Sequence, residues 1–123
     1  MRESTFGRWH MLAGAVVFSL LGLHMVIMHL DDILLAIGVG HGKAIDATIV
    51  CERSQQAFFM LTYIILLGAA LYHGLYGMRN ILFELTLKKG WETIINWIFI
   101  VVGLGLFIYG TYAAIFVFLN GEV

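Results

Sequence analysis

His73 lies near the end of a stretch, residues 57–78, that contains no Asp, Glu, Lys or Arg. A histidine in such a span is costly in lipid unless it faces protein or a cofactor, which makes it a functional candidate. Its neighbours at helical spacing are small. Ala69 and Ala70 come four and three residues before it, and Gly77 comes four after. Positions three and four apart share a helix face. The expected surface is a groove of small residues with an imidazole projecting from it. A flat ring could lie there, and haem iron accepts histidine nitrogen as an axial ligand. Arg79 is six residues further on. That is about 9 Å along the axis at about 1.5 Å per residue, a reach that suits a haem propionate.

A second candidate ligand is His24, in an uncharged stretch over residues 9–30. His29 competes with it but lies beside Asp31 and Asp32, at the edge of the apolar run, where a histidine needs no special explanation. Depth bears on whether His24 and His73 serve one iron. Counted from His10 as the entry of the first span, His24 is about 21 Å deep; counted from Arg79 as the exit of the second, His73 is about 9 Å deep. The difference of about 12 Å exceeds the roughly 4 Å between two ligands of one metal. The expectation is two haems, an inner one on His73 and an outer one on His24. Each would be completed by a histidine from a second subunit. Three helices from each chain would make a six-helix bundle.

Those elements follow from composition. Hydrophobic residues make up 61% of the 123 residues and charged ones 12%, which defines a membrane class. Three windows, residues 9–30, 57–78 and 93–121, have no charged side chain. Each exceeds the roughly 20 residues that cross a bilayer as a helix. Helices are expected over residues 9–31, 54–84 and 91–119, in one all-α domain. The first window is too long for a signal peptide and is followed by acids, not a small-residue cleavage site. The single Cys51 permits no internal disulfide. Nothing points to nucleic acid.

Lys and Arg set the orientation. Arg2, Arg8, Arg79, Lys88 and Lys89 fall on one side of a three-span topology, and Lys43 and Arg53 on the other. The positive-inside rule then puts the N-terminus in the cytoplasm. Ala15/Ser19, Ala70/Gly74 and Gly110/Ala114 have the small-xxx-small spacing that lets helices approach closely.

Residues 73–84 also resemble the second transmembrane helix of the cytochrome b membrane-anchor subunits of succinate dehydrogenase and fumarate reductase (respiratory complex II). Those helices often carry His, then Gly four on, Arg six on, a Leu-like residue eight on and an acid eleven on. His73, Gly77, Arg79, Ile81 and Glu84 stand in those places. Tyr76 stands where Asn is common, Glu84 where Asp is usual, and Leu85 where Tyr often follows the acid. The run from Gly14 to His24 is similar to the first helix of the family's dihaem members.

The resemblance implies a bacterial or archaeal plasma-membrane anchor that does no chemistry on dicarboxylates itself. A flavoprotein and an iron–sulfur subunit would dock on its cytoplasmic face, beside a second anchor subunit. The chain would hold haem b and pass electrons to or from a membrane quinone, as part of a succinate:quinone oxidoreductase. By the resemblance, Ser4, Arg8 and His10 are candidates for an inner quinone site and Glu84 for a docking or quinone-site carboxylate. Asp46 and Glu52 are candidates for outer proton handling. Two other readings stay open. One is a haem-poor docking and quinone-binding scaffold of the same complex. The other is a small transporter with a proton relay of His24, His29 and His73, which leaves the spacing of Gly77, Arg79 and Glu84 unexplained.

Overall fold

The computed structural model describes residues 2–38, 52, 56–85 and 88–120. They contain three long helices: α1 (Arg2–Ala36), α2 (Ala57–Glu84) and α3 (Lys89–Asn120). Each is long and apolar enough to cross a membrane. A helix suits lipid because it satisfies its own backbone polar groups. These helices are apolar around most of their circumference, as membrane spans are. The chain is an all-helical, multi-pass membrane protein by the length and composition of these elements.

The ends differ from expectation most at α1, which runs from Arg2 to Ala36 where residues 9–31 were expected. Proline is absent, and Gly7 alone costs a helix only about 1 kcal/mol. So the N-terminal arm continues the helix instead of preceding it. At the other end Asp31 and Asp32 lie within the helix, and the stop comes at Gly38. Its φ is 81°, and its N–H donates to the Leu35 carbonyl at 3.1 Å. A left-handed glycine there satisfies a carbonyl that the ending helix leaves open. The expected start of α2 near residue 54 lies outside the described residues; the helix ends at Glu84 as expected. The bounds of α3 fall within one or two residues of those expected, the usual scatter of helix ends.

α2 is the middle of the arrangement. It packs against α1 on one side and α3 on the other, while α1 and α3 have no Cα atoms within 8 Å of each other. Neighbours run antiparallel: His10 of α1 meets His73, and Asn96 of α3 meets Arg79. Neither α2 nor α3 has a buried residue. Phe18 is 82% exposed and Leu119 72%, yet such exposure carries no penalty where the solvent is as apolar as leucine. The three helices form an open layer, not a closed core.

Small residues seat large ones along the α2–α3 seam. A Cβ added at Gly68 would stand 3.1 Å from Phe107 Cε2, one at Gly103 2.8 Å from Leu75 Cδ1, and one at Gly110 would collide with Leu67. Of the three small-xxx-small pairs, Gly110/Ala114 faces this seam. Ala15/Ser19 and Ala70/Gly74 are exposed, so they do not mediate packing within the chain.

Candidate functional site

His10 and His73 form a reciprocal clasp between α1 and α2. Their rings stack with centroids 4.2 Å apart and planes at 13°. His73 Nδ1 lies 3.1 Å from the His10 carbonyl oxygen, and His10 Nε2 lies 3.0 Å from the His73 carbonyl oxygen. A carbonyl can only accept, so each of these nitrogens carries the proton and donates it. Each ring also lies against a glycine of the other helix. A Cβ at Gly14 would stand 2.8 Å from His73 Cε1, and one at Gly77 would stand 3.3 Å from His10 Nε2.

The pattern is therefore His-xxx-Gly on both helices, docked head to tail. The small face around His73 is not an empty groove: His10 fills the space beside Gly77. Tyr76 leans on His10 at 5.2 Å between ring centroids, and Tyr72 stacks on Tyr76 at 5.6 Å. The Tyr72 hydroxyl donates to the Phe6 carbonyl at 3.1 Å, a third bond across the same seam.

The clasp fixes the chemistry of His73. With Nδ1–H held by a backbone carbonyl, the lone pair of the neutral ring is on Nε2. Metal-ligating histidines almost always have their other nitrogen held this way. Among the described residues the one buried side-chain polar atom without a partner is Thr111 Oγ1, so Nε2 is not sealed in. The donor set at His73 fits haem iron on these grounds.

His24 is set differently. Its ring meets Tyr63 edge-on, at 5.8 Å and 80°, and neither ring nitrogen has a hydrogen-bond partner among the described residues. It shares the α2-facing stripe of α1 with His10 and Gly14, as helical spacing dictates. The depth estimate needs correction here. His10 is abreast of His73, not of Arg79, so the fourteen residues from His10 to His24 put the two candidate ligands about 21 Å apart in depth, not about 12 Å. The two rings therefore lie further apart in depth than the spacing alone implied.

Arg79 lies on another face of α2, toward α3. Its Nε donates to Asn96 Oδ1 at 2.6 Å and its Nη1 to Asn80 Oδ1 at 3.2 Å. The guanidinium sits over the Phe83 ring, 4.2 Å from its centroid. It also lines a cavity of about 600 Å³ between α2 and α3, which no histidine lines. So the structure brings His73 together with His10, and Arg79 with Asn96, and it does not bring His73 together with Arg79.

The remaining candidates are dispersed. Arg8 is exposed and donates to Thr5 Oγ1 at 3.5 Å. Ser4, His29, Glu52 and Glu84 are exposed. Asp46 and Cys51 lie outside the described residues. Sequence reasoning missed Asn96, Tyr72 and the pairing of His10 with His73. The last had a signal: His10-xxx-Gly14 and His73-xxx-Gly77 repeat one spacing on consecutive spans. Comparison with protein-family models, curated proteins and solved structures finds no match to this chain.

Proposed function

We propose that this chain is a haem b-binding membrane anchor of a succinate dehydrogenase or fumarate reductase complex. It docks the flavoprotein and iron–sulfur subunits and takes part in electron transfer with a membrane quinone. The observation that supports this most is the state of His73, whose Nδ1–H is held by the His10 carbonyl while Nε2 keeps its lone pair. The resemblance of residues 73–84 to the family's second helix points the same way. Bound haem supplies a one-electron carrier whose axial positions are both taken by histidine.

The chain's own residues do the positioning. His10 fixes the tautomer and the plane of His73, Gly14 leaves room for its ring, and α1 excludes lipid from that side. His24 is the second ligand in this reading, for a separate, outer haem. A propionate on Arg79 would require the macrocycle to reach from the α1 side of α2 to the α3 side, so the reading rests on His73 and not on Arg79. The open layer leaves the outer faces of α1 and α3 for lipid and for the second anchor subunit. The five-to-two asymmetry of Lys and Arg gives a cytoplasmic N-terminus. A reporter fused after Val123 is then active only if it is of a type that works outside the cytoplasm.

The test is a reduced-minus-oxidised spectrum with haem quantification on the intact complex. His73→Ala loses the inner haem and His24→Ala the outer one, each leaving the other spectrally intact, and His29→Ala loses neither. Full haem content in His73→Ala would defeat the reading. A haem lost with His29 and not His24 would move the outer ligand. The haem-poor scaffold reading has one observation in its favour, the histidine-free cavity between α2 and α3. A wild-type complex with no haem band would favour it.

A further inference from the structure

The cavity between α2 and α3 is lined by no histidine, though it shares Phe6, Tyr72 and Tyr76 with the edge of the clasp, and it has the form of a one-leaflet slot. It runs from Gly68 and Phe107 at its deep end to Arg79 and Asn96 at the other. Eleven residues separate Gly68 from Arg79 along α2, about 16 Å of helix. That is close to half of the roughly 30 Å hydrocarbon core of a bilayer. Between the ends the walls are leucine and aromatic faces, among them Leu71, Leu75 and Phe99. The volume is about 600 Å³, enough for an extended chain and not closed off from the surrounding membrane.

Arg79 is the one cation among the residues lining this cavity. Both of its hydrogen-bond acceptors are neutral amides, and no carboxylate reaches it among the described residues. Its Nη2 has no acceptor there either. The neutral partners orient the guanidinium and the rings of Phe83 and Tyr76 lie against it, but no anion among the described residues pairs with its charge. An uncompensated charge near lipid is expensive unless it meets an opposite one. A guanidinium also matches the geometry of phosphate oxygens. Lys88, Lys89 and Trp91 are exposed at the same end of the helices, which suits the headgroup level of a membrane.

An anion at headgroup level joined to an apolar tail one leaflet long describes an anionic phospholipid. We propose that the α2–α3 cleft binds one such lipid from the leaflet on the side of the α2–α3 link. Its phosphate is on Arg79, which Asn96 and Asn80 hold in place, and one acyl chain lies along the slot toward Gly68 and Phe107. Asn96 is a positioning residue here: it orients the guanidinium and keeps it unpaired.

The intact complex, moved by detergent exchange into nanodiscs of phosphatidylcholine with a minor fraction of phosphatidylglycerol, provides the test. Co-purifying phospholipid is counted by mass spectrometry, and haem and quinone are counted on the same samples. The wild type retains phosphatidylglycerol above its share of the disc. Arg79→Gln lowers that enrichment about fivefold, the worth of one basic side chain at a membrane surface. Asn96→Asp places a carboxylate on the guanidinium and lowers it likewise without removing the arginine, while Arg79→Lys keeps most of it. Unchanged enrichment in both Arg79→Gln and Asn96→Asp overturns the proposal. So does an Arg79→Gln complex that loses quinone or haem while its phosphatidylglycerol is unchanged. In that case the arginine serves a quinone or a propionate.

Discussion

The two seams of α2 are built on opposite logic. Toward α1 the contact is directional. Two imidazoles each donate to a backbone carbonyl, a tyrosine hydroxyl donates to a third, and glycines make room for the rings. Toward α3 the contact is one of shape. Glycines receive phenyl and isobutyl groups, and the polar bond across the seam lies at one end, from Arg79 to Asn96. A directional seam holds its groups at fixed angles, which is what an axial ligand needs. A seam of shape leaves a gap wherever a large residue is missing, and here it leaves a slot.

The difference can be broken most visibly with glycines. A Cβ at Gly14 and one at Gly103 would each stand 2.8 Å from a neighbour, His73 Cε1 and Leu75 Cδ1 respectively. His73 is held by a hydrogen bond and a stacked ring, while the end of Leu75 can rotate away. Gly14→Leu is therefore expected to lower stability by about 1–3 kcal/mol, the usual range for overpacking. Under the proposed function it should also perturb the haem spectrum. Thermal unfolding of the purified chain in detergent measures the first effect. Gly22→Leu, on the same helix with nothing within 4 Å, is the control and should be near neutral.

Gly103→Leu comes next, near the lower end of that range at about 1 kcal/mol, with the haem spectrum unchanged. Equal effects of Gly14→Leu and Gly103→Leu on both readouts would erase the distinction between the seams. The smallest change sharpens it. Tyr72→Phe removes one interhelical hydrogen bond and keeps the ring stack on Tyr76. Bonds of this kind within membranes average about 0.6 kcal/mol, so a slight loss is expected in the same unfolding experiment. A loss several times larger would mean that Tyr72, and not the histidine pair, is the main polar tie between α1 and α2.

Much of the fold was legible because lipid enforces it. Windows without charge must be helices, and three of them fix the element count. The ends were less legible. The length of α1 depended on Gly38 taking a left-handed conformation, and Asp31–Asp32 looked like a better boundary than it is. The site was half legible. His73 stood out by its surroundings, and His24 by its depth. What faced them did not, because periodicity gives the face of a helix but not the neighbour that covers it. His10 was read as the entry of the first span and, by the resemblance, as a quinone-site candidate, not as the partner of His73. Asn96 was passed over because an amide in an uncharged span is less conspicuous than a histidine. Arg79 was assigned by its distance along the axis from His73. The six-residue step also rotates it about 120° around the helix, which turns it toward α3.

That the backbones of α1 and α3 nowhere come within 8 Å, Cα to Cα, has a consequence for how the chain is made. Every close backbone approach between the long helices joins neighbours in chain order, so the α1–α2 hairpin can close while the ribosome is still elongating α3. Domains fold as units during synthesis, N-terminal parts first. Nothing in the His10–His73 clasp waits for the third helix. A chain stopped after Lys89 should leave the insertion machinery with its histidines already paired, and α3 is then added to a finished surface.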